Sequence, residues 1–379
     1  MPVDIGIVGA GNRGQSHANE YSSVEGANIV AIADIDEEAS QNLADEYGAE
    51  SYGDYRDMLE DAALDAVSVC VHNNLHRPVT LDAAAEGYHV FCEKPLAATY
   101  ADAKAMADAI DEAGVHLGVQ NTMLFSKKTR AARNLIDDGR LGDLYYARGV
   151  LTRRRGRPYI DGYGTPSFVS KESAGGGPVL DNGTYVLGQL LYLLGNAPVE
   201  RVGGATFEFT DDSYDESLVG DNSVYRERLE ESGYNVEDAG LGFAHLEDGS
   251  LLSLRAAWHM YLPDEPSVVT GSQGGLSLDP FEFYTTTADY ETTASLNIES
   301  YERRQGLLSS ESGYDIEDYG QFDHWIETID GTLDDPIPTG DLALTSMLIM
   351  DGLYQAQEAG RELTAEEIAD RSESSAIDL

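Results

Sequence analysis

The run Gly9-Ala10-Gly11-Asn12-Arg13-Gly14 directly follows the apolar segment Ile5-Gly6-Ile7-Val8 and precedes Gln15 to Ser23, a stretch able to form a helix. A strand feeding a glycine turn that opens a helix is the start of a parallel βαβ unit. One glycine permits the tight turn, one lets a pyrophosphate approach the backbone, and one lets the helix pack close to the strand. The phosphates of such a ligand rest on the helix N-terminus. A second apolar run, Asn28 to Ala33, ends in Asp34, and an acidic residue about twenty positions beyond the motif is the expected partner of the ribose hydroxyls. Gly9, Gly11, Asn12, Arg13, Gly14 and Asp34 are therefore the candidate cofactor-binding residues of this segment. Asp34 would repel a 2′-phosphate, and Ile35-Asp36-Glu37-Glu38 offers no cation to receive one, so NAD is expected. Arg13, inside the turn, keeps NADP as the alternative, and a helix cap shared with Asp36 is the competing reading of Asp34.

Strand and helix signals alternate as far as residue 121. Leu64 to Val71 is β-rich, Pro78 to Ala85 reads as a helix, and Tyr88 to Cys92 as a strand. Thr99 with Asp102 opens a helix in which Ala103, Met106, Ala107 and Ile110 recur at helical spacing. Val115 to Val119 closes the series. This alternation predicts a doubly wound parallel sheet, a Rossmann domain over residues 1–121. From 122 to 379 the pattern changes to an α+β domain with a large open, mostly antiparallel sheet; Leu252, Leu254, Ala256 and Trp258 alternate there with Ser253, Arg255 and Ala257. The acidic stretch from Thr210 to Asn235 reads as a solvated loop.

Across 379 residues the chain carries 68 acidic and 24 basic side chains, a net charge of -44, with 42% hydrophobic residues. That apolar content is enough for a packed core, so the acidity is a surface property of a folded protein. Nucleic acid and anionic membranes are excluded as partners by charge. Self-repulsion on this scale is screened at molar salt, where the Debye length is about 3 Å, so the expected setting is a halophilic cytoplasm. Cys70 and Cys92 lie in apolar runs and are expected as reduced core thiols; there is no spacing for a metal site. The first strand begins almost at once, so no signal peptide is expected, and no apolar run approaches the length needed to span a bilayer.

Against this background Phe91-Cys92-Glu93-Lys94-Pro95 stands out, because Lys94 is one of only five lysines. It follows a predicted parallel strand, and strand C-termini of a doubly wound sheet are where ligands bind. Asp181 and Tyr185 are four apart and share a helix face, so both could address one substrate hydroxyl. A tyrosine titrates near 10 in isolation, and a neighbouring ammonium lowers that value. The cluster Arg153-Arg154-Arg155-Gly156-Arg157-Pro158-Tyr159 could recognise a carboxylate or ring hydroxyls, or neutralise acidic surface; Arg154, Tyr159 and Lys171 are candidate substrate contacts.

Together with Gly175-Gly176-Gly177-Pro178-Val179-Leu180-Asp181-Asn182-Gly183-Thr184-Tyr185, Asp248-Gly249-Ser250 and Gly271-Ser272-Gln273-Gly274-Gly275, these segments resemble the Gfo/Idh/MocA oxidoreductases, including the glucose-fructose oxidoreductase and inositol dehydrogenase branches. The resemblance covers nearly the whole chain. It implies an NAD(P)-dependent dehydrogenase or reductase of a sugar or polyol. By the same resemblance Lys94 lies by the nicotinamide, Glu93 by the ribose, Asn73 and His76 by the cofactor, and Asp181 in the catalytic site. Where the family commonly has histidine four residues after the aspartate, this chain has Tyr185, as some sugar dehydrogenase branches do. His72-Asn73-Asn74 likewise departs from the usual Thr-Pro-Asn. The resemblance further implies a homo-dimer or homo-tetramer joined through the open sheet. The competing functions are a redox-neutral glycosidase using tightly held NAD, and a non-catalytic NAD-bound regulator.

Overall fold

The computed structural model describes residues 2–209, 223–309 and 319–377. The chain divides into two compact units, one of residues 1–121, 319–344 and 373–379, the other of residues 122–318 and 345–372.

The first unit is built on β1 (Val3–Val8), β2 (Ala27–Ala33), β3 (Glu50–Tyr52), β4 (Ala66–Val69), β5 (His89–Cys92) and β6 (Leu117–Val119), all parallel, in the order β3-β2-β1-β4-β5-β6. Its crossovers are α1 (Asn12–Tyr21), α2 (Glu37–Tyr47), α3 (Tyr55–Asp61), α4 (Asn73–Ala85) and α5 (Tyr100–Ala113). β1 and β4 are buried almost throughout, Asp4 being the half-exposed exception, as expected of parallel strands covered on both faces. The order reverses between β1 and β4, which opens a crevice at the strand C-termini. Local chemistry sets the helix ends. Asp36 caps α2 by accepting from the N–H groups of Glu38 and Ala39, and Thr99 caps α5.

α4 starts five residues before the expected Pro78. Proline lacks an N–H and leaves a helical carbonyl without its donor. Here the carbonyl of Asn74, four residues before Pro78, accepts the N–H of Ile377 at 3.1 Å instead.

The expected second domain, residues 122–379, gives up two segments to the first unit. In α11 (Gln321–Ile329), Phe322, Trp325 and Ile326 join the core formed by Ile5, Ile7, Tyr21, Ile29 and Phe91. Tyr21 and Phe322 meet edge to face at 4.7 Å, and Phe91 lies 5.5 Å from Trp325. Thr339 receives the N–H of Val119 at 3.1 Å, and Gln321 that of Asn121 at 3.1 Å. Near the C-terminus, Ser375 donates its N–H to the buried carboxylate of Asp102 at 3.0 Å. Sequence reading missed these segments because their partners lie some two hundred residues away.

The second unit holds α6 (Lys127–Asp137), β7 (Leu144–Thr152), α7 (Lys171–Ala174), α8 (Pro178–Leu194), β8 (Val199–Phe207), α9 (Ser223–Ser232), β9 (Ala239–Leu246), β10 (Leu251–Ala257), β11 (Val268–Gly271), β12 (Gly274–Leu278), β13 (Phe281–Thr287), β14 (Tyr290–Ser295) and α10 (Ile298–Ser309). α12 (Thr339–Ala359), β15 (Leu363–Thr364) and α13 (Ala365–Arg371) follow. The nine strands run β14-β13-β12-β11-β7-β10-β9-β8-β15, and only the β7–β10 pairing is parallel. Leu252, Leu254 and Ala256 are buried while Ser253 and Arg255 are half-exposed, as the alternation predicted; Ala257 is buried too. Of the stretch expected as a loop, residues 210–222 lie outside the described residues, whereas Ser223–Ser232 is helical. That helix is held at its outer turns, where Tyr159 donates to Glu231 at 3.0 Å and Arg228 lies over the Tyr159 ring at 5.9 Å. Both cysteines are buried free thiols. Among the described residues no helix is long and apolar enough to cross a membrane.

Replacing Trp325 by alanine removes the ring that packs on Phe91 and Gly118. The expected loss, read from urea unfolding in molar KCl, is about 3–5 kcal/mol, the range for deleting a buried large aromatic. A change under about 1 kcal/mol would detach α11 from this core.

Candidate functional site

In the first unit the glycine turn is fixed by packing. Gly9 has φ +102°, and a Cβ there would lie 2.5 Å from the carbonyl oxygen of Cys70. A Cβ on Gly14 would overlap the Gly9 carbonyl, so α1 packs directly on the turn that precedes it. Gly11 differs, since a Cβ there would meet no atom within 4 Å. Gly11 is also the N-cap of α1 and provides no side chain to its first-turn N–H groups. An open approach to uncapped donors at Asn12, Arg13 and Gly14 fits the pyrophosphate of a dinucleotide. Asp34, at the end of β2, accepts from Ala10 N at 2.6 Å and from Asp36 N at 2.9 Å. These bonds brace the turn and leave lone pairs for ribose hydroxyls. The cap of α2 is Asp36 alone, so Asp34 does not share it. The Arg13 guanidinium lies 3.7 Å from the Glu93 carboxylate, which pairs the cation that the turn offers to a 2′-phosphate.

The loop after β5 is buried, with Glu93 4% and Lys94 7% exposed. Glu93 accepts the N–H of Lys94 at 3.1 Å, and its other oxygen meets His17 Nε2 at 3.0 Å. His17 Nδ1 lies 2.8 Å from Ser68 Oγ and 3.2 Å from Cys70 Sγ. Burial opposes a charge on His17, but the sulfur of Cys70 and the carboxylate of Glu93 prevail and push its pKa up to about 10. Burial likewise opposes ionisation of Glu93, yet the bond and charge of His17, with Arg13 and Lys94, hold it at about 2. The two form a buried ion pair that fixes the backbone carrying Lys94. His17 escaped the sequence reading as a site residue. Its signal was there, because Gly14, His17, Ala18 and Tyr21 are the buried stripe of α1, and a polar residue on such a stripe needs a partner.

His76, expected by the cofactor, supports the loop that follows Lys94. It is fully buried, with Nδ1 3.0 Å from the carbonyl of Pro95 and Nε2 3.1 Å from that of Val71. It therefore ties the end of β4 to the loop that follows Lys94, and burial lowers its pKa. Asn73, the first residue of α4, is half-exposed beside the end of β4.

In the second unit α8 is buried along its length except at Asp181, Tyr185 and Tyr192. Asp181 and Tyr185 are thus the accessible face of its first two turns. Trp258, itself fully buried, donates its indole N–H to Asp181 Oδ2 at 3.0 Å. Asn182 anchors the same turn to the carbonyls of Leu151 at 3.1 Å and Ala257 at 3.3 Å, the ends of β7 and β10. The helix start is held by Glu237, which accepts from Gly177 N at 2.9 Å, Val179 N at 3.0 Å and the Tyr354 hydroxyl at 2.8 Å. A carboxylate at a helix N-terminus is favoured by the dipole, although burial raises the Glu237 pKa. Trp258 and Glu237 carry no sequence signal for these roles, since they lie far along the chain from α8.

The arginine cluster separates into different environments. Arg157 is buried and ion-paired with Asp238, which makes it structural. Arg154 is exposed and donates to the Leu262 carbonyl at 3.2 Å. Tyr159, at φ 59°, gives its hydroxyl to Glu231. Lys171 opens α7, exposed, with its N–H on Asn235 at 2.7 Å.

The His17–Glu93 pair predicts a pH signature. His17, raised from 6.5 to about 10, contributes stability that is complete below pH 6.5 and lost as pH climbs through 10. Glu93, lowered from 4.5 to about 2, contributes stability that is complete above pH 4.5 and lost as pH falls through 2. The stability difference between wild type and Glu93→Gln, from unfolding midpoints, is expected to be about 3–5 kcal/mol at its widest, between those ordinary values, and to narrow on either side. A difference independent of pH would rule out the ion pair.

Comparison with known proteins agrees with this geometry. The model of the GFO_IDH_MocA group, described as an oxidoreductase family with an NAD-binding Rossmann fold, matches residues 3–121, and that of the GFO/IDH/MocA C-terminal domain matches residues 129–277. The chain is 30% identical to the D-glucoside 3-dehydrogenase of Escherichia coli over 75% of its own length and 79% of that protein. It is 30% identical to the myo-inositol 2-dehydrogenase of Thermotoga maritima over 41% of this chain and 47% of that one. An oxidoreductase domain protein from Kribbella flavida, 20% identical, has the same fold at a TM-score of 0.76 over 96% of this chain and 99% of its own. The protein is therefore a member of the Gfo/Idh/MocA oxidoreductase family, an enzyme whose cofactor is NAD.

Proposed function

We propose that this enzyme oxidises a secondary hydroxyl of a sugar or polyol, with Lys94, Asp181 and Tyr185 as its catalytic residues. The observation that carries this reading is the pairing of Asp181 with Tyr185 as the accessible face at the start of an otherwise buried helix. NAD, when bound, supplies the hydride acceptor. Gly11 and the uncapped N-terminus of α1 hold the pyrophosphate, Asp34 holds ribose hydroxyls, and Asn73 and Glu93 line the same strand ends. Tyr185, assisted by Lys94, is the general base: its phenolate accepts the substrate hydroxyl proton and becomes the phenol. Asp181, held by the Trp258 N–H, orients the substrate hydroxyl. Glu93, held by His17, fixes the Lys94 backbone. The names of the related D-glucoside and myo-inositol dehydrogenases support a carbohydrate or cyclitol substrate.

The net charge of -44 supports a working environment of molar salt in a halophile's cytoplasm. Leu241, exposed on the opposite side of β9 from Gly240, which packs on Val179 of α8, supports assembly through the open side of the nine-stranded sheet into a dimer or tetramer.

NADH formation from NAD in molar KCl, across aldoses, glucosides, inositols and sugar acids, tests the reaction. Lys94→Ala is expected to lower kcat by about 10²- to 10⁴-fold while NAD still binds, and Trp258→Phe to raise KM more than it lowers kcat. Substrate consumed without net NADH would instead identify the redox-neutral glycosidase, and unchanged activity in Lys94→Ala would discard the assignment. Lowering KCl from molar to about 0.1 M, where the Debye length grows to about 10 Å, is expected to lower the melting temperature markedly. A melting temperature unchanged by salt would refute the halophilic reading.

A further inference from the structure

Arg153 and Arg154 lie where β7 ends, and the same end of the sheet carries the start of α8. Arg153 N donates to the carbonyl of Ala257 at 2.9 Å. That oxygen also accepts from Asn182, the neighbour of Asp181, at 3.3 Å. The next residue, Trp258, donates to Asp181 itself. Arg153 and Asp181 are thus anchored to one pair of residues, Ala257 and Trp258. The Arg153 guanidinium hydrogen-bonds the Tyr163 hydroxyl and lies 5.1 Å from its ring centroid. Burial pushes Tyr163 up to about 12, with Arg153 opposing the shift and the Asp181 charge adding to it, so this tyrosine senses both.

What the two arginines touch is unusual for so acidic a chain. Arg153 donates to the Gly156 carbonyl at 3.5 Å and to the Tyr163 hydroxyl, and Arg154 to the Leu262 carbonyl at 3.2 Å. All three are neutral oxygens, and among the described residues neither arginine has a carboxylate within ion-pair distance. Their neighbours in the same cluster do, Arg155 with Asp161 at 2.8 Å and Arg157 with Asp238. Arg133 and Arg201, on other surfaces, are also matched to carboxylates. With 68 acidic side chains to 24 basic ones, carboxylates are plentiful, and two adjacent exposed guanidiniums kept away from them retain their charge and forked donors for something else. In molar salt the field of the net charge of -44 is screened within about 3 Å, so only cations in direct contact can hold an anionic group. An anionic substrate therefore needs local cations beside the reacting group, and that is where these two stand.

We propose that Arg153 and Arg154 form an anion-reading subsite beside Asp181, so that the sugar or polyol oxidised here carries a charged oxyacid group, the carboxylate of a sugar acid or the phosphoryl group of a sugar phosphate. The inference rests on the dehydrogenase reading and names the substrate class within it. The subsite binds the charged end, and Asp181 and Tyr185 address a hydroxyl elsewhere on the same molecule.

The test compares D-gluconate and D-glucuronate, D-glucose 6-phosphate, and neutral D-glucose, using NAD-loaded full-length protein in molar KCl. Long-range attraction is screened there to about 3 Å, and only direct contact discriminates. Two readouts are taken, binding by quenching of tryptophan fluorescence and NADH formation. One anionic class is expected to exceed glucose at least tenfold in both affinity and kcat/KM, and which class does so separates carboxylate from phosphoryl recognition. Arg153→Gln and Arg154→Gln are each expected to lower the anionic-to-neutral ratio of kcat/KM about tenfold, through KM and not kcat, which corresponds to about 1.4 kcal/mol of binding. Arg154→Gln removes only a bond to one carbonyl, so it serves if Arg153→Gln disturbs Tyr163. Equal or better use of glucose, no binding of any anionic probe, or a selectivity ratio unmoved in both variants would overturn the subsite. Arginine-dependent binding of an anion without NADH formation would uphold the subsite and sink the dehydrogenase reading.

Discussion

The contact of Gly14 with the carbonyl of Gly9 governs the first unit, because it brings the backbone of α1 against the turn that starts it. A side chain at Gly14 would overlap that oxygen and force the helix away. With the helix close, its N-terminal N–H groups face an opening left by Gly11, and its buried stripe delivers His17 to Ser68, Cys70 and Glu93. Glu93 then receives the N–H of Lys94. A chain of contacts thus runs from one glycine to the backbone of the candidate catalytic lysine. Each step is a buried polar group satisfied by the next, and leaving one without its partner costs more than the bond itself contributes.

The second unit solves a similar problem with different parts. α8 leaves Asp181 and Tyr185, the candidate catalytic side chains, and Tyr192 accessible while burying the rest of a long apolar helix in the sheet. Its N-terminal N–H groups are taken by Glu237, a carboxylate from a distant segment, and Asn182 fastens the first turn to the ends of β7 and β10. Asp181 then has its direction set by Trp258. The same strand ends hold Arg153, so the arrangement that orients the carboxylate also sets the position of that guanidinium.

Much of this was legible in the chain. The glycine spacing with Asp34 announced the dinucleotide turn, and the alternation of strand and helix signals announced the doubly wound sheet, because both rest on contacts between residues close in sequence. The four-residue spacing of Asp181 and Tyr185 placed them on one helix face by helical period alone, and the rarity of lysine singled out Lys94. Other features were not legible, for a common reason. His76 supports a loop through backbone carbonyls at Val71 and Pro95, which no residue pattern advertises. The arginine run left substrate contact and charge neutralisation both open, and the fold separates its members: Arg157 is buried against Asp238, whereas Arg153 bonds the Tyr163 hydroxyl and Arg154 the Leu262 carbonyl.

Local sequence determined the glycine turn, the helix periods, the order of elements in the first 121 residues and the acidic character of the surface, all set by neighbours within a few residues or by composition. Tertiary structure decided that 319–344 and 373–379 belong to the first unit, that His17 guards Glu93, that Trp258 and Glu237 support Asp181 and α8, and that Arg157 is buried against Asp238. The physical reason is that burial and hydrogen-bond satisfaction depend on which distant segments the fold brings together, and a polar group's role follows from the partner it finds there.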